Sequence, residues 1–125
     1  MAHLTGADKD EVLAAPMAAA LEAARRWNAV VALKGPSTAI ATPQGECWVH
    51  DGGDCGLATS GSGDTLAGAI GGLCARGATL PQACAWGVWL HAQAGERLAR
   101  TMGPVGYLAR EIPAGMLAAL REVEG

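Results

Sequence analysis

The segment Gly56-Leu-Ala-Thr-Ser-Gly-Ser-Gly-Asp-Thr-Leu-Ala-Gly68 sets glycines, hydroxyl residues and a single carboxylate at the start of an apolar helical stretch. Gly61 and Gly63 lack the Cβ atoms that would hold a ligand off the backbone, so successive N–H groups are able to point at one anionic oxygen. A helix that begins near Asp64 adds unpaired first-turn donors and the positive end of its dipole. A phosphate is the occupant that suits this chemistry.

Downstream, Leu66, Ile70 and Leu73 fall on one face of that helix, and Gly68, Gly71 and Gly72 are expected to let neighbours approach closely. Gly77 is its expected C′ residue. Leu80-Pro81 opens a second helix, which carries Trp86, Trp89 and Leu90 and ends near Met102 at Gly103-Pro104. A last helix starts near Ile112-Pro113 and carries Met116, Leu117 and Leu120.

Upstream, Asp8 to Trp27 has apolar positions at helical spacing, with Pro16 expected to kink or restart it. Ala29-Val-Val-Ala-Leu-Lys34 reads as a strand buried on both faces. Ser37–Thr42 and Glu46–His50 read as a β-hairpin around the Pro43-Gln44-Gly45 turn. The expectation is an α/β fold: residues 1–125 form one domain, with a short, mainly parallel sheet and a β-hairpin packed by helices.

A chain of 125 residues supports a modest core. Its net charge of -3 provides no basic field to gather nucleic acid or an acidic membrane surface. Apolar residues reach 50% and charged ones 17%, against about 45–50% and about 25% in typical domains, so a sizeable face is expected to be covered by another chain. Cys47, Cys55, Cys74 and Cys84 have no C-x-x-C spacing and no signal peptide precedes them, which points to buried reduced thiols in a cytoplasmic protein. The scattered His3, His50 and His91 complete no ligand set with them, and no protein metal site is expected. No apolar run reaches the ~18 residues needed to span a bilayer.

The P-loop, dinucleotide-fingerprint, nucleophile-elbow and H-E-x-x-H motifs are all absent. What stands is Lys34-Gly-Pro-Ser-Thr38 at the end of a strand, Ala58-Thr59 before the glycines, Gly61-Ser-Gly-Asp64 with Thr-Leu-Ala-Gly68 after it, and Gly106-Tyr-Leu-Ala109 before the last helix. This ordered set resembles the ribokinase-like superfamily, and within it the carbohydrate-kinase-related family of ADP- or ATP-dependent NAD(P)H-hydrate dehydratases. The resemblance covers roughly the C-terminal half of that family's domain.

The resemblance implies that Lys34, Gly35 and Thr38, with Pro36 and Ser37 between them, lie along the nucleotide. It implies that Gly61, Ser62 and Gly63 surround the transferred phosphoryl group. Asp64 matches the carboxylate that takes the proton from the acceptor hydroxyl in related kinases and contacts the hydrated nicotinamide in the dehydratases. The implied reaction phosphorylates the ring hydroxyl of the NAD(P)H hydrate and then eliminates phosphate, using ADP or ATP with Mg2+ carried by the nucleotide.

Each residue has a plainer alternative. Asp64 suits an N-cap, Lys34 a solvated strand end, and Thr59 and Thr65 local backbone satisfaction. Trp86 and Trp89 suit core or interface packing, His91 a structural hydrogen bond, and Asp8-Lys-Asp-Glu11 a solvated helix start. The chain also departs from the family. The early strands and the Thr-Pro-His-Pro-Gly-Glu stretch are missing, so His3 inherits no role, and the usual Gly-Asn is Gly53-Asp54, which brings a negative charge near the nucleotide.

A half domain would leave the edge of the strand at 29–34 unpaired, and such edges recruit other chains. A homo-oligomer is therefore expected, most simply a two-fold dimer, and a monomer by light scattering at micromolar concentration would contradict it. Three functions compete: the dehydratase, completed by an oligomer or a missing segment; a noncatalytic nucleotide-binding remnant or interaction module; and a small-molecule kinase of the same superfamily.

Overall fold

The computed structural model describes residues 5, 6, 8–53 and 55–125, which fall into two compact units, residues 1–51 and 52–125. In the first unit, α1 (Lys9–Ala14) and α2 (Pro16–Trp27) are separated by Ala15, with φ -139° and ψ 67°. The break is where proline demands it: Pro16 has no N–H to donate, and its ring disfavours helical geometry at Ala15. Asp8 caps α1 by accepting from the Asp10 N–H at 2.8 Å, so the acidic start is a solvated cap as expected. α2 ends on Asn28 in the left-handed region, with the Ala29 N–H reaching the Ala24 carbonyl at 3.1 Å.

The sheet has the order β1 (Val31–Leu33), β2 (Ser37–Ala41), β3 (Cys47–Asp51), and both pairings are antiparallel. The α/β class holds, but the mainly parallel sheet does not. Only residues 34–36 link β1 to β2, whereas a parallel pair needs a crossover of about a dozen residues or more. β1 is half-buried along its length rather than buried on both faces. The hairpin turn stands at residues 43–45, closed by the Gly45 N–H on the Thr42 carbonyl at 3.1 Å.

Helix α2 meets the sheet through alanine: Ala20 and Ala24 pack against Ala39 and Ala41, flanked by Met17, Leu21, Val31 and Leu33. Side chains this small contribute only ~0.8 kcal/mol per buried methyl-sized group. The contact therefore depends on the close approach of the two backbones.

The second unit holds α3 (Ser62–Ala75), α4 (Leu80–Met102) and α5 (Ile112–Glu124), around a core of Leu90, Ala94, Tyr107, Ile112, Met116 and Ala119. Leu66 is buried and Ile70 and Leu73 are half-buried, as their spacing predicts. The close approaches lie elsewhere than expected. A Cβ added at Gly68, Gly71 or Gly72 would meet nothing within 4 Å, while one at Gly115 would stand 3.0 Å from the Ala94 Cβ and one at Gly87 2.6 Å from Ile70. Those three α3 glycines face outward because the helix presents its leucine face to the core. Trp86 and Trp89 meet edge to face, with centroids 5.8 Å apart; Trp89 packs against the core of this unit, whereas Trp86 is 43% exposed.

Helix ends follow local chemistry closely. Gly77 (φ 100°) closes α3 in a Schellman motif, with its N–H on Cys74 and the Ala78 N–H on Leu73. Cys47, Cys74 and Cys84 are all free, but only Cys84 is buried and Cys47 is exposed, because its strand β3 presents an exposed face. Burial, and then the neighbouring Cys74, push the Cys84 thiol above its ordinary pKa. The expectations for His3 and Asp54, and for the Cys55 side chain, lie outside what is described. Among the described residues no helix is long and apolar enough to cross a membrane.

Helix α4 starts with a capping box, in which the Thr79 hydroxyl accepts from the Gln82 N–H and the Gln82 side chain accepts from the Thr79 N–H. Thr79→Ala is predicted to lower stability by about 1 kcal/mol, read as a shift in the urea midpoint. An unchanged midpoint would remove the cap from the forces that hold the helix.

Candidate anion site

The glycine segment enters the second unit through a 3-10 turn at Cys55–Ala58. The Thr59 N–H bonds the Gly56 carbonyl at 3.1 Å, and the Ser62 N–H bonds the Thr59 carbonyl at 3.2 Å. Gly56 is required here, since a Cβ on it would fall 2.3 Å from the Pro104 carbonyl oxygen and 2.6 Å from the Tyr107 ring. The Gly106-Tyr-Leu-Ala109 stretch is thereby tied to the loop. Gly61 then takes φ 86° and ψ -9° as the N-cap of α3, a conformation that L side chains resist.

Helix α3 begins at Ser62, two residues earlier than the sequence suggests, and this changes what each residue does. Asp64 is the third helical residue and not the N-cap; Gly61 is, with no side-chain cap bond. The Asp64 carboxylate is exposed at the positive end of the helix dipole. Among the described residues no hydrogen bond takes up the N–H groups of Gly61, Gly63 or Asp64. The Thr65 N–H and hydroxyl both turn to the Gly61 carbonyl, at 3.1 and 3.3 Å, in the local role expected of that threonine.

Ser62 departs from its expected place as an anion donor. Its N–H is spent on Thr59, and its side chain, 1% exposed, donates to the Leu57 carbonyl. His91, 3% exposed on α4, sets Nε2 3.1 Å from the Ser62 carbonyl oxygen and 3.5 Å from its hydroxyl. The outward donors of the turn are therefore Gly61, Gly63 and Asp64, and Ser62 holds it from behind. Glu96 adds support to the loop entry by accepting from the Gly53 N–H at 3.1 Å, while Gln93 donates to the other carboxylate oxygen at 3.4 Å. Nothing near Gly53 in the sequence signals Glu96, which stands 43 residues away.

The second set of sequence-predicted residues belongs to the first unit. Lys34, Gly35 and Pro36 are exposed in the connection between β1 and β2. The Ser37 hydroxyl donates to Asp51, and Thr38, 8% exposed, faces His50 in the β2–β3 register. Thr38 is thus a largely buried strand residue, and Lys34 is the exposed cation of the segment.

Three unspent amides, two of them on glycines that carry no Cβ, and the positive end of a 14-residue helix fit a phosphate chemically. Gly61→Ala is predicted to cost about 1–2 kcal/mol from the left-handed backbone alone, with further crowding from the Ala109 Cβ 3.3 Å from the new methyl group. Chemical denaturation checks this, and a variant of parental stability would show that the turn has another geometry.

The chain is similar to known proteins over most of its length. The family model Carb_kinase, described as NAD(P)H-hydrate dehydratase, matches residues 3–116. The ADP-dependent (S)-NAD(P)H-hydrate dehydratase of Xanthomonas campestris pv. campestris is 54% identical over 113 residues, covering 90% of this chain and 39% of that protein. The bifunctional NAD(P)H-hydrate repair enzyme Nnr of Thermofilum pendens is 42% identical over 98% of this chain and 24% of its own length. The crystal structure of the ADP/ATP-dependent NAD(P)H-hydrate dehydratase from Bacillus subtilis, co-crystallized with ATP/Mg2+ and soaked with CoA, superposes with a TM-score of 0.91 at 30% identity, over 97% of this chain and 45% of that one. The chain spans less than half the length of each of these proteins. The chain belongs to the NAD(P)H-hydrate dehydratase family of carbohydrate-kinase-related proteins.

Proposed function

We propose that this chain works as part of an ADP- or ATP-dependent NAD(P)H-hydrate dehydratase, with residues 1–125 contributing to a single ribokinase-like domain. The observation that carries the reading is the turn at residues 61–64, whose outward amides are unspent while its inner side is fully bonded. Phosphoryl transfer asks a protein mainly for positioned donors around spreading negative charge. The amides of Gly61, Gly63 and Asp64 supply such donors at a helix N-terminus.

In this reading Lys34, Gly35, Pro36, Ser37 and Thr38 run along the nucleotide, with Lys34 offering the positive charge. Ser62 shapes the phosphate turn from within. Asp64 accepts the proton of the hydrate's ring hydroxyl, a role supported by its freedom from any capping bond. When bound, the nucleotide with its Mg2+ supplies the phosphoryl group that turns the hydroxyl into a leaving group. Self-association, most simply as a two-fold dimer, belongs to the same proposal, and the exposed Leu117 and Val123 on α5 support it.

A second reading is a nucleotide-binding module that turns over nothing by itself. It is supported by the 39% and 45% shares of the relatives that this chain spans. Calorimetric titration with ADP and ATP, with and without magnesium, followed by a spectroscopic assay of NAD(P)H recovery from the hydrate, separates the two. The dehydratase reading predicts binding and turnover; binding alone favours the module; neither defeats both. Asp64→Asn is predicted to lower the rate roughly 10²–10⁴-fold with far smaller loss of nucleotide affinity. A variant turning over at the parental rate would remove Asp64 from the role of base.

A further inference from the structure

We propose that His91 is a positioning residue for the phosphate turn: its Nε2–H gives the Ser62 carbonyl a second, buried donor and so braces the Ser62–Gly63 peptide at the first turn of α3, and with it the Gly63 amide. The inference rests on the reading of residues 61–64 as a phosphate site, and it assigns the histidine a task within that site.

The geometry is specific. His91 is 3% exposed and Ser62 1% exposed, so both polar groups are out of water and must be satisfied by protein. A carbonyl oxygen only accepts, so the Nε2 that stands 3.1 Å from the Ser62 oxygen carries the proton. The Ser62 C=O and the Gly63 N–H share one planar trans peptide, in which the two bonds point in opposite directions. As the first residue of α3, Ser62 also gives its carbonyl to the helix ladder, so His91 is a second donor that braces a peptide whose Gly63 N–H lies beside the unspent donors of Gly61 and Asp64.

The other groups of Ser62 reinforce this. Its N–H is tied to Thr59 and its hydroxyl to Leu57, so every polar atom of the residue is bonded on the inner side. A bound phosphate meets a donor that is already oriented, which is the condition for strong electrostatic stabilisation without reorganisation.

The test compares His91→Met, which keeps volume and removes the donor, with His91→Gln, which returns an N–H near the position of Nε2. Amide hydrogen exchange at Thr65 and Leu66 in the unliganded protein reads the order of the turn, and calorimetry with ADP and with inorganic phosphate reads its affinity. Loss of one hydrogen bond predicts about fivefold faster exchange at the turn and about fivefold weaker binding for His91→Met, with both largely restored in His91→Gln. Parental exchange and affinity in His91→Met, or equal losses in both variants, would overturn the proposal. Exchange that rises equally throughout α4 and α5 would mark a purely structural role and overturn it as well.

The exchange comparison needs no ligand, so failure of the parental protein to bind ADP or phosphate would defeat the phosphate reading separately. Should His91→Met not fold, the imidazole 15N shifts of the parental protein carry the test: a protonated Nε2 is expected, and an unprotonated one would overturn the proposal.

Discussion

The start of α3 is organised around the burial of one serine. Ser62 is the first residue of α3, and its three polar groups bond Thr59, Leu57 and His91 on the inner side of the turn. A buried hydroxyl or carbonyl left without a partner costs about 1–3 kcal/mol, so these bonds fix where the helix can begin. Once that point is set, Gly61 must adopt a left-handed backbone, Asp64 falls on the first turn, and the remaining amides face outward. A site able to hold phosphate is the outer face of a well-satisfied inner one.

The same fixed start explains why neighbouring elements pack so closely here. The Pro104 carbonyl and the Tyr107 ring approach Gly56 so closely that no Cβ would fit between, and the Thr65 hydroxyl approaches the Ala109 carbonyl at 3.5 Å. Residues 104–109 thus buttress the turn. The loop entry is held in turn by the Glu96 carboxylate on the Gly53 amide. Pre-oriented donors of this kind suit a reaction in which charge develops on a phosphoryl group, which accords with membership of the NAD(P)H-hydrate dehydratase family.

Local chemistry was readable from the residues wherever a short-range constraint decides the structure. Pro16, Gly77, Thr79-Leu80-Pro81 and Gly103 each end or begin a helix for reasons contained within a few positions, and all stand where their chemistry requires. The antiparallel pairing of β1 with β2 was equally available, in the three-residue link at 34–36, but the valine-rich composition of the strand pointed toward a buried parallel one. The inward turn of Ser62 was not readable. It depends on a helix start two residues earlier than the glycine pattern suggests, and on a histidine 29 positions away. The outward face of Gly68, Gly71 and Gly72 is illegible in the sequence for a similar reason, since spacing shows which residues share a face but not which face meets a neighbour.

The central claim is that the outward amides of residues 61–64 bind a phosphate, and it is tested most directly by following backbone 1H–15N resonances during titration with ADP and Mg2+. The account predicts saturable shifts at Gly61, Gly63 and Asp64 that are larger than at the buried Ser62 amide. Saturable binding that leaves those three amides unmoved would contradict it.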